Sequence, residues 1–255
     1  MNCNLRIRFI SILIFITFGL GIVACQIVSV PPPSQNNETK QRSETSKNGV
    51  VSAANPDAAA IGVSILESGG NAVDAAVAVS FALGLVEPHA SGPGGCGYAL
   101  YAPHNGEALF FDYRSVAPMA IDAEAFMLFS EAERKNSIKA AGIPGAVAGW
   151  LTLHEAYGSM PLAQLLEPTI SLAEDGFKVT QTLSSNMSEQ YEKLSADEVC
   201  SELYLNSGLP YSVGDILKNP DYGKMLRLLS QFGAEAFYNG EIANAIVFAS
   251  EQKDG

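Results

Sequence analysis

Arg114 is the residue of this 255-residue sequence whose type and setting point most directly to ligand chemistry. It lies in Asp112-Tyr113-Arg114-Ser115-Val116-Ala117-Pro118, just past a predicted strand and before Ala-Pro, where a side chain can face a cleft. A planar guanidinium holds a carboxylate through two parallel hydrogen bonds, a geometry that Lys does not reproduce. The plainer alternative is a surface Arg in an ion pair. A second candidate is Ser91-Gly92-Pro93-Gly94-Gly95-Cys96-Gly97, whose four glycines permit backbone conformations closed to other residues. Phosphate binding is disfavoured there. A P-loop needs Gly-Lys-Ser/Thr, a dinucleotide loop needs a different glycine spacing before a helix, and these glycines lead into a strand. His89, His104 and His154 show no metal-ligand spacing, and the sequence has no HExxH, CxxC or Gly-x-Ser-x-Gly pattern. Cys96 and Cys200 stand 104 positions apart and read as two buried free thiols rather than a pair.

These residues need elements to hold them. Val50–Ala54 reads as a short buried strand. Pro56–Glu67 is a helix capped by Asn55 and stopped by Gly69-Gly70. Asn71, with Asp74 three positions on, makes a capping box for Ala72–Val86. That helix is apolar almost all round and must be buried on most sides, packed against a sheet. Tyr98–Ala102 and Ala108–Tyr113 flank Asn105-Gly106, a hairpin signal, and Arg114 follows the second strand. Helices are predicted over Val147–Tyr157, over Pro161–Asp175 with Pro168 inside, over Thr180–Leu194, from Asn219-Pro220 to Gly233, and from Gly240-Glu241 onward.

Composition bounds the function. The chain is 47% hydrophobic and 16% charged, which excludes a disordered, collagenous or coiled-coil protein. A net charge of −12 leaves no basic surface for nucleic acid. Arg6 and Arg8 precede an apolar run from Phe9 to Leu20 that ends in Ile22-Val23-Ala24-Cys25. This resembles a bacterial lipoprotein signal, with cleavage before Cys25 and lipid on its thiol. The alternatives are an ordinary signal peptide and an uncleaved anchor. Losing residues 1–24, with two Arg and no acid, makes the charge −14. Residues 25–48, with Pro31-Pro32-Pro33 and no aromatics, have the composition of a tether. The expected place is the bacterial cell envelope, lipid-anchored and periplasmic or extracellular. From the residues alone, the reading stops at a lipid-anchored α/β domain with a buried helix and a glycine-rich approach to a strand.

The run Gly69-Gly70-Asn71-Ala72-Val73-Asp74-Ala75-Ala76-Val77-Ala78 resembles the γ-glutamyltransferase family. So do Val86-Glu87-Pro88, Ser91–Tyr98, Asp112–Pro118, Gly142-Ile143-Pro144-Gly145-Ala146, His154 with Tyr157-Gly158, Pro168 through Phe177, and Phe237-Tyr238 with Gly240, Ile242 and Ala243, all in order. The resemblance spans roughly residues 48–251. It implies an α/β (α+β) fold, part of a four-layer αββα N-terminal-nucleophile hydrolase sandwich. It implies a precursor that cuts itself before a Thr, giving a large and a small subunit. The new N-terminal Thr attacks a γ-glutamyl donor such as glutathione. Water, an amino acid or a peptide then resolves the acyl-enzyme, with no metal or organic cofactor. Arg114 falls on the family's Arg that binds the α-carboxylate of the γ-glutamyl group.

Three residues depart from the family pattern. Ser115 stands where the family usually has Glu, which changes how Arg114 is braced or how the ligand amine is met. Cys96 and Tyr98 replace a Gly and a Phe and read as packing changes. No Thr sits in a processing context, since Thr152, Thr169, Thr180 and Thr182 fall in or beside helical patterns. Residues 49–255 are therefore expected to be an incomplete large-subunit domain, inactive alone and exposing apolar surface that a small subunit covers. Other readings stay open: a related acylase, a poly-γ-glutamate transpeptidase, or an inactive truncated lipoprotein that only binds.

Overall fold

A computed structural model of the chain describes residues 45–253. The expected leader, the tether as far as residue 44 and the lipidation site Cys25 lie outside them. Val50–Ala54 is not a strand. Val51 and Ala53 turn to the core and alternate with exposed neighbours, but no described residue pairs with them. A strand exists only through its ladder, so alternation alone leaves an irregular segment.

Helix α1 spans Pro56–Glu67; the Asn55 side chain accepts from the Asp57 N–H at 2.9 Å and Pro56 opens the first turn. Gly69, at φ +93°, reverses the chain. Helix α2 spans Ala72–Val86 with the expected capping box between Asn71 and Asp74. Strands β1 (Gly97–Tyr101) and β2 (Leu109–Tyr113) form an antiparallel hairpin, pairing Tyr98 with Asp112 and Leu100 with Phe110. Two short helices that the sequence did not announce follow, α3 (Ala123–Met127) and α4 (Glu131–Asn136), each with a side-chain cap. Then come α5 (Ala146–Tyr157) and α6 (Leu162–Asp175), with Pro168 inside α6.

The second half is mainly helical. Strand β3 (Phe177–Lys178) leads to α7 (Gln181–Glu189), α8 (Tyr191–Ala196) and α9 (Glu198–Tyr204). The single helix expected over 180–194 is thus broken at Gln190, whose ψ of 14° leaves the helical region; Tyr191 then donates to the Gly208 carbonyl at 3.1 Å. Strands β4 (Leu205–Asn206), β5 (Leu209–Pro210) and β6 (Ile216–Leu217) are short, β3 pairing with β6 and β4 with β5. Helices α10 (Pro220–Phe232), α11 (Ala234–Tyr238) and α12 (Glu241–Glu251) close the described chain.

The core is built round α2, which packs mainly on α1, α6 and α5. The sheet expected against it is not its main partner. Small residues are the reason. A Cβ on Gly62 of α1 would lie 2.6 Å from Val79 of α2, so the two helices touch where no larger residue fits. Phe81 is fully buried and meets Trp150 edge-to-face, with centroids 4.8 Å apart. The Tyr222 hydroxyl of α10 donates to the Phe81 carbonyl at 2.7 Å. Burial pushes the Tyr222 phenol far above its usual range.

A buried carboxylate pins the start of α2. Asp74 is inaccessible to solvent and accepts from Asn71 N (2.8 Å), Ser159 N (3.0 Å), Ser159 Oγ (2.6 Å) and Met160 N (3.3 Å). Burial pushes its pKa up, but the hydrogen bonds from Ser159, Asn71 and Met160 hold it below the ordinary value of 3.8. His154 Nε2 lies 2.8 Å from the Met160 carbonyl and 3.7 Å from Asp74 Oδ1. Both neighbours only accept, so this nitrogen carries a proton.

Candidate functional site

The site forms where the hairpin, the glycine run and the start of α5 meet. Alternation along β1 and β2 turns Ala99, Tyr101, Phe111 and Tyr113 inward and leaves Tyr98, Leu100, Phe110 and Asp112 on the exposed face. Tyr113 packs closely on α5. A Cβ on Gly149 would sit 2.2 Å from its Cγ, and one on Gly145 would sit 2.2 Å from its carbonyl oxygen. Beyond Arg114, Val116 and Ile143 exchange backbone hydrogen bonds of 3.3 and 2.8 Å. The Gly95 carbonyl accepts from both Gly145 N and Ala146 N at 3.1 Å. Tyr238 completes the frame: its hydroxyl donates to the Pro144 carbonyl at 2.8 Å and accepts from Ala148 N at 3.0 Å.

Within this frame the backbone of Arg114 is fixed. Its N–H donates to Asp112 Oδ1 at 3.0 Å, a turn that ends β2. The side chain is exposed, and Nη1 donates to the Tyr98 hydroxyl at 3.3 Å. That hydrogen bond is the main reason the guanidinium is held above its usual value, with Cys96 and Asp112 adding to it. Among the described residues no carboxylate lies within ion-pair distance of Arg114. Cys96 is free and exposed, not buried as expected, because the glycine run holds it at the surface; Cys200 is free and half-buried. The backbone and hydroxyl of Ser115, the larger influences, together with the Arg114 charge, pull the Cys96 thiol below the ordinary value. Burial pushes the Cys200 thiol up.

A cleft of about 610 Å³ runs beneath the glycine run. Gly92 to Cys96, Tyr113, Ser80, Gly84, Trp150, Tyr204 and Tyr222 are among the residues that line it. Gly84 is required there, because a Cβ would lie 2.9 Å from the Gly92 backbone and 2.4 Å from the Tyr222 hydroxyl. Gly92 itself takes φ +149°. Arg114 does not line this cleft; it stands outside it, beside Cys96.

The other candidates disperse. His89 lies 3.7 Å from Glu87, His104 sits in the hairpin turn, and His154 serves the Asp74 network. Among the described residues no group of three or more His, Cys, Asp or Glu could hold a metal, and no helix is long and apolar enough to cross a membrane. Thr169 is buried in α6, Thr180 caps α7, and Thr152 and Thr182 lie on helix surfaces. What the arrangement offers is an exposed guanidinium with one hydrogen bond to Tyr98 and no carboxylate within ion-pair distance among the described residues, suited to a carboxylate. Reading Tyr98 as a packing change missed its hydroxyl. The hairpin register held the signal, since it sets Tyr98 opposite Asp112, two residues before Arg114.

The solved structures this chain is similar to define a class first. γ-Glutamyltranspeptidase from Helicobacter pylori superposes with a TM-score of 0.80 at 33% identity, over 84% of this chain and 62% of that one. The fold is accordingly α/β (α+β), part of the αββα sandwich of the N-terminal-nucleophile hydrolases. The γ-glutamyltranspeptidase family model matches residues 58–255. The glutathione hydrolase proenzyme of Bacillus subtilis (strain 168) is 34% identical over 245 residues, covering 93% of this chain and 41% of that protein. The capsule biosynthesis protein CapD proenzyme of Bacillus anthracis is 37% identical over 196 residues, covering 77% of this chain and 34% of that protein. The chain belongs to the γ-glutamyltranspeptidase family. It spans about two fifths or less of the length of these two curated relatives.

Proposed function

We propose that this chain supplies the large-subunit part of a γ-glutamyltransferase (glutathione hydrolase), and that Arg114 binds the α-carboxylate of the γ-glutamyl donor. The observation that carries this is an exposed Arg114, backbone-locked on both sides and without a carboxylate partner among the described residues. In this reading a Thr from outside these 255 residues attacks the γ-carbonyl carbon, and its own α-amine takes the hydroxyl proton. The C–N bond breaks, the donor's amine leaves with that proton, and an ester joins the glutamyl group to Thr. Water or an amine then releases the product. Arg114 fixes the far end of the donor so that the γ-carbonyl is presented in one orientation. The chain alone is inactive, and a small subunit is its partner.

The test is release of nitroaniline from γ-glutamyl-p-nitroanilide. The chain alone should release none, and co-expression with a small subunit of the family should restore activity. Arg114→Ala should then lower kcat/KM by about 100-fold, the loss of about 3 kcal/mol of charge-assisted bonding. Release by the chain alone, or an Arg114→Ala enzyme with wild-type kcat/KM, overturns the reading. Arg114 suits the α-carboxylates of a poly-γ-glutamate chain equally well. That polymer is therefore the second donor to assay. The lipid anchor belongs to the same proposal: Cys25→Ser should abolish incorporation of labelled fatty acid and release the protein from membranes.

A further inference from the structure

We propose that Tyr98 is the positioning residue for Arg114, a neutral phenol that fixes the guanidinium without cancelling its charge. This rests on the reading of Arg114 as the carboxylate-binding residue and concerns what holds it in place. Tyr98 is well placed for the role. It pairs with Asp112 across the hairpin, so its side chain emerges on the exposed face, just before Arg114 leaves the sheet. Its ring stacks on Phe110, with centroids 5.2 Å apart and planes at 26°. Its carbonyl accepts from the Tyr113 hydroxyl at 3.0 Å, which ties the two strand ends together. The phenol is thus held by backbone register, by ring stacking and by a neighbour before Arg114 reaches it at 3.3 Å.

The chemistry of the brace matters as much as its place. A guanidinium has five N–H donors, and one bond to Tyr98 leaves four, enough for a bidentate carboxylate. A carboxylate brace would hold Arg114 more tightly but would already neutralise it, and a ligand carboxylate would have to compete. The carboxylate nearest in sequence, Asp112, is engaged by the Arg114 backbone N–H. Ser115 carries no charge, so it offers Arg114 no neutralising partner. A phenol restrains the rotamers of a long, exposed side chain while leaving the whole positive charge for the ligand.

The experiment compares four enzymes assembled from this chain and a small subunit: wild type, Tyr98→Phe, Arg114→Lys and the double variant. Phe keeps the stacking on Phe110, so folding is preserved. Tyr98→Phe should raise KM for γ-glutamyl-p-nitroanilide about 2- to 12-fold with kcat nearly unchanged, the effect of one hydrogen bond worth about 0.5–1.5 kcal/mol. In the Arg114→Lys background, Tyr98→Phe should add nothing. A second readout uses this chain alone: the guanidinium nitrogen NMR signals of Arg114 should show slowed rotation in the wild type and free rotation in Tyr98→Phe. The proposal is overturned if Tyr98→Phe leaves both KM and these signals unchanged while Arg114→Lys raises KM. If Arg114→Lys also leaves KM unchanged, the carboxylate reading of Arg114 fails instead, and the NMR comparison still decides whether Tyr98 restrains it.

Discussion

Replacing Asp74 by Asn tests the frame behind the site. The substitution keeps the shape of the side chain but turns one acceptor oxygen into an NH2 group. Asp74 Oδ2 accepts from Asn71 N at 2.8 Å and from Ser159 Oγ at 2.6 Å, while Oδ1 faces Ser159 N and Met160 N. The Ser159 hydroxyl can rotate and accept instead. The Asn71 N–H cannot, and the remaining bonds lose their charge assistance. Two charge-assisted bonds at about 1.5 kcal/mol each put the loss at roughly 3 kcal/mol. For a domain of this size, that lowers Tm by roughly 6–12 °C. The acidity dependence has a definite sign. The folded pKa of Asp74 lies below 3.8, so its contribution is complete above that value and fades as pH falls through the lower, folded value. Thermal unfolding of this chain followed by circular dichroism, wild type against Asp74→Asn, should show the full gap at pH 7 and pH 5 and a shrinking gap below 3.8. Equal Tm values at pH 7, or a gap that persists undiminished in acid, would refute the argument.

Other outcomes follow from the same packing. Gly149→Ala should lower Tm, because its Cβ would fall 2.2 Å from Tyr113 Cγ; overpacking of about 1–3 kcal/mol is expected, and a variant as stable as the wild type would contradict the close approach. Phe81→Ala removes a fully buried ring and should lower the free energy of unfolding in urea by about 3–5 kcal/mol. Near neutral pH, Cys96 should react with a maleimide faster than Cys200, since its thiol is pulled down and Cys200's is pushed up; Arg114→Ala should slow Cys96 and leave Cys200 alone.

The sequence announced the elements that carry their own punctuation. Asn55-Pro56, Asn71 with Asp74, Asn105-Gly106 and Asn219-Pro220 are local devices, and each marks a real boundary. The place of Arg114 at the end of β2 followed from the hairpin. What failed needed distant partners. Val50–Ala54 has the alternation of a strand but no described neighbour to pair with. The packing of α2 depends on Gly62, whose role as a contact point is invisible until α1 lies against it. The Asp74 carboxylate completes the capping box as read, yet its strongest bonds reach 85 residues along the chain to Ser159. The exposure of Cys96 follows from how the glycine run is tied to α5 through the Gly95 carbonyl, a contact no local pattern encodes.

The bond from the Tyr222 hydroxyl to the Phe81 carbonyl also sets a clock for biosynthesis. The two residues are 141 positions apart. At about 5–20 residues per second, a ribosome needs roughly 7–28 s after making α2 to deliver the residue that closes over it. Throughout that interval a helix with apolar side chains on nearly every face is without much of its cover. Its partners α5, α6 and α10 arrive in turn, so shielding is gradual rather than sudden. Growth temperature and translation speed should therefore govern the soluble yield of this chain more strongly than its final stability does.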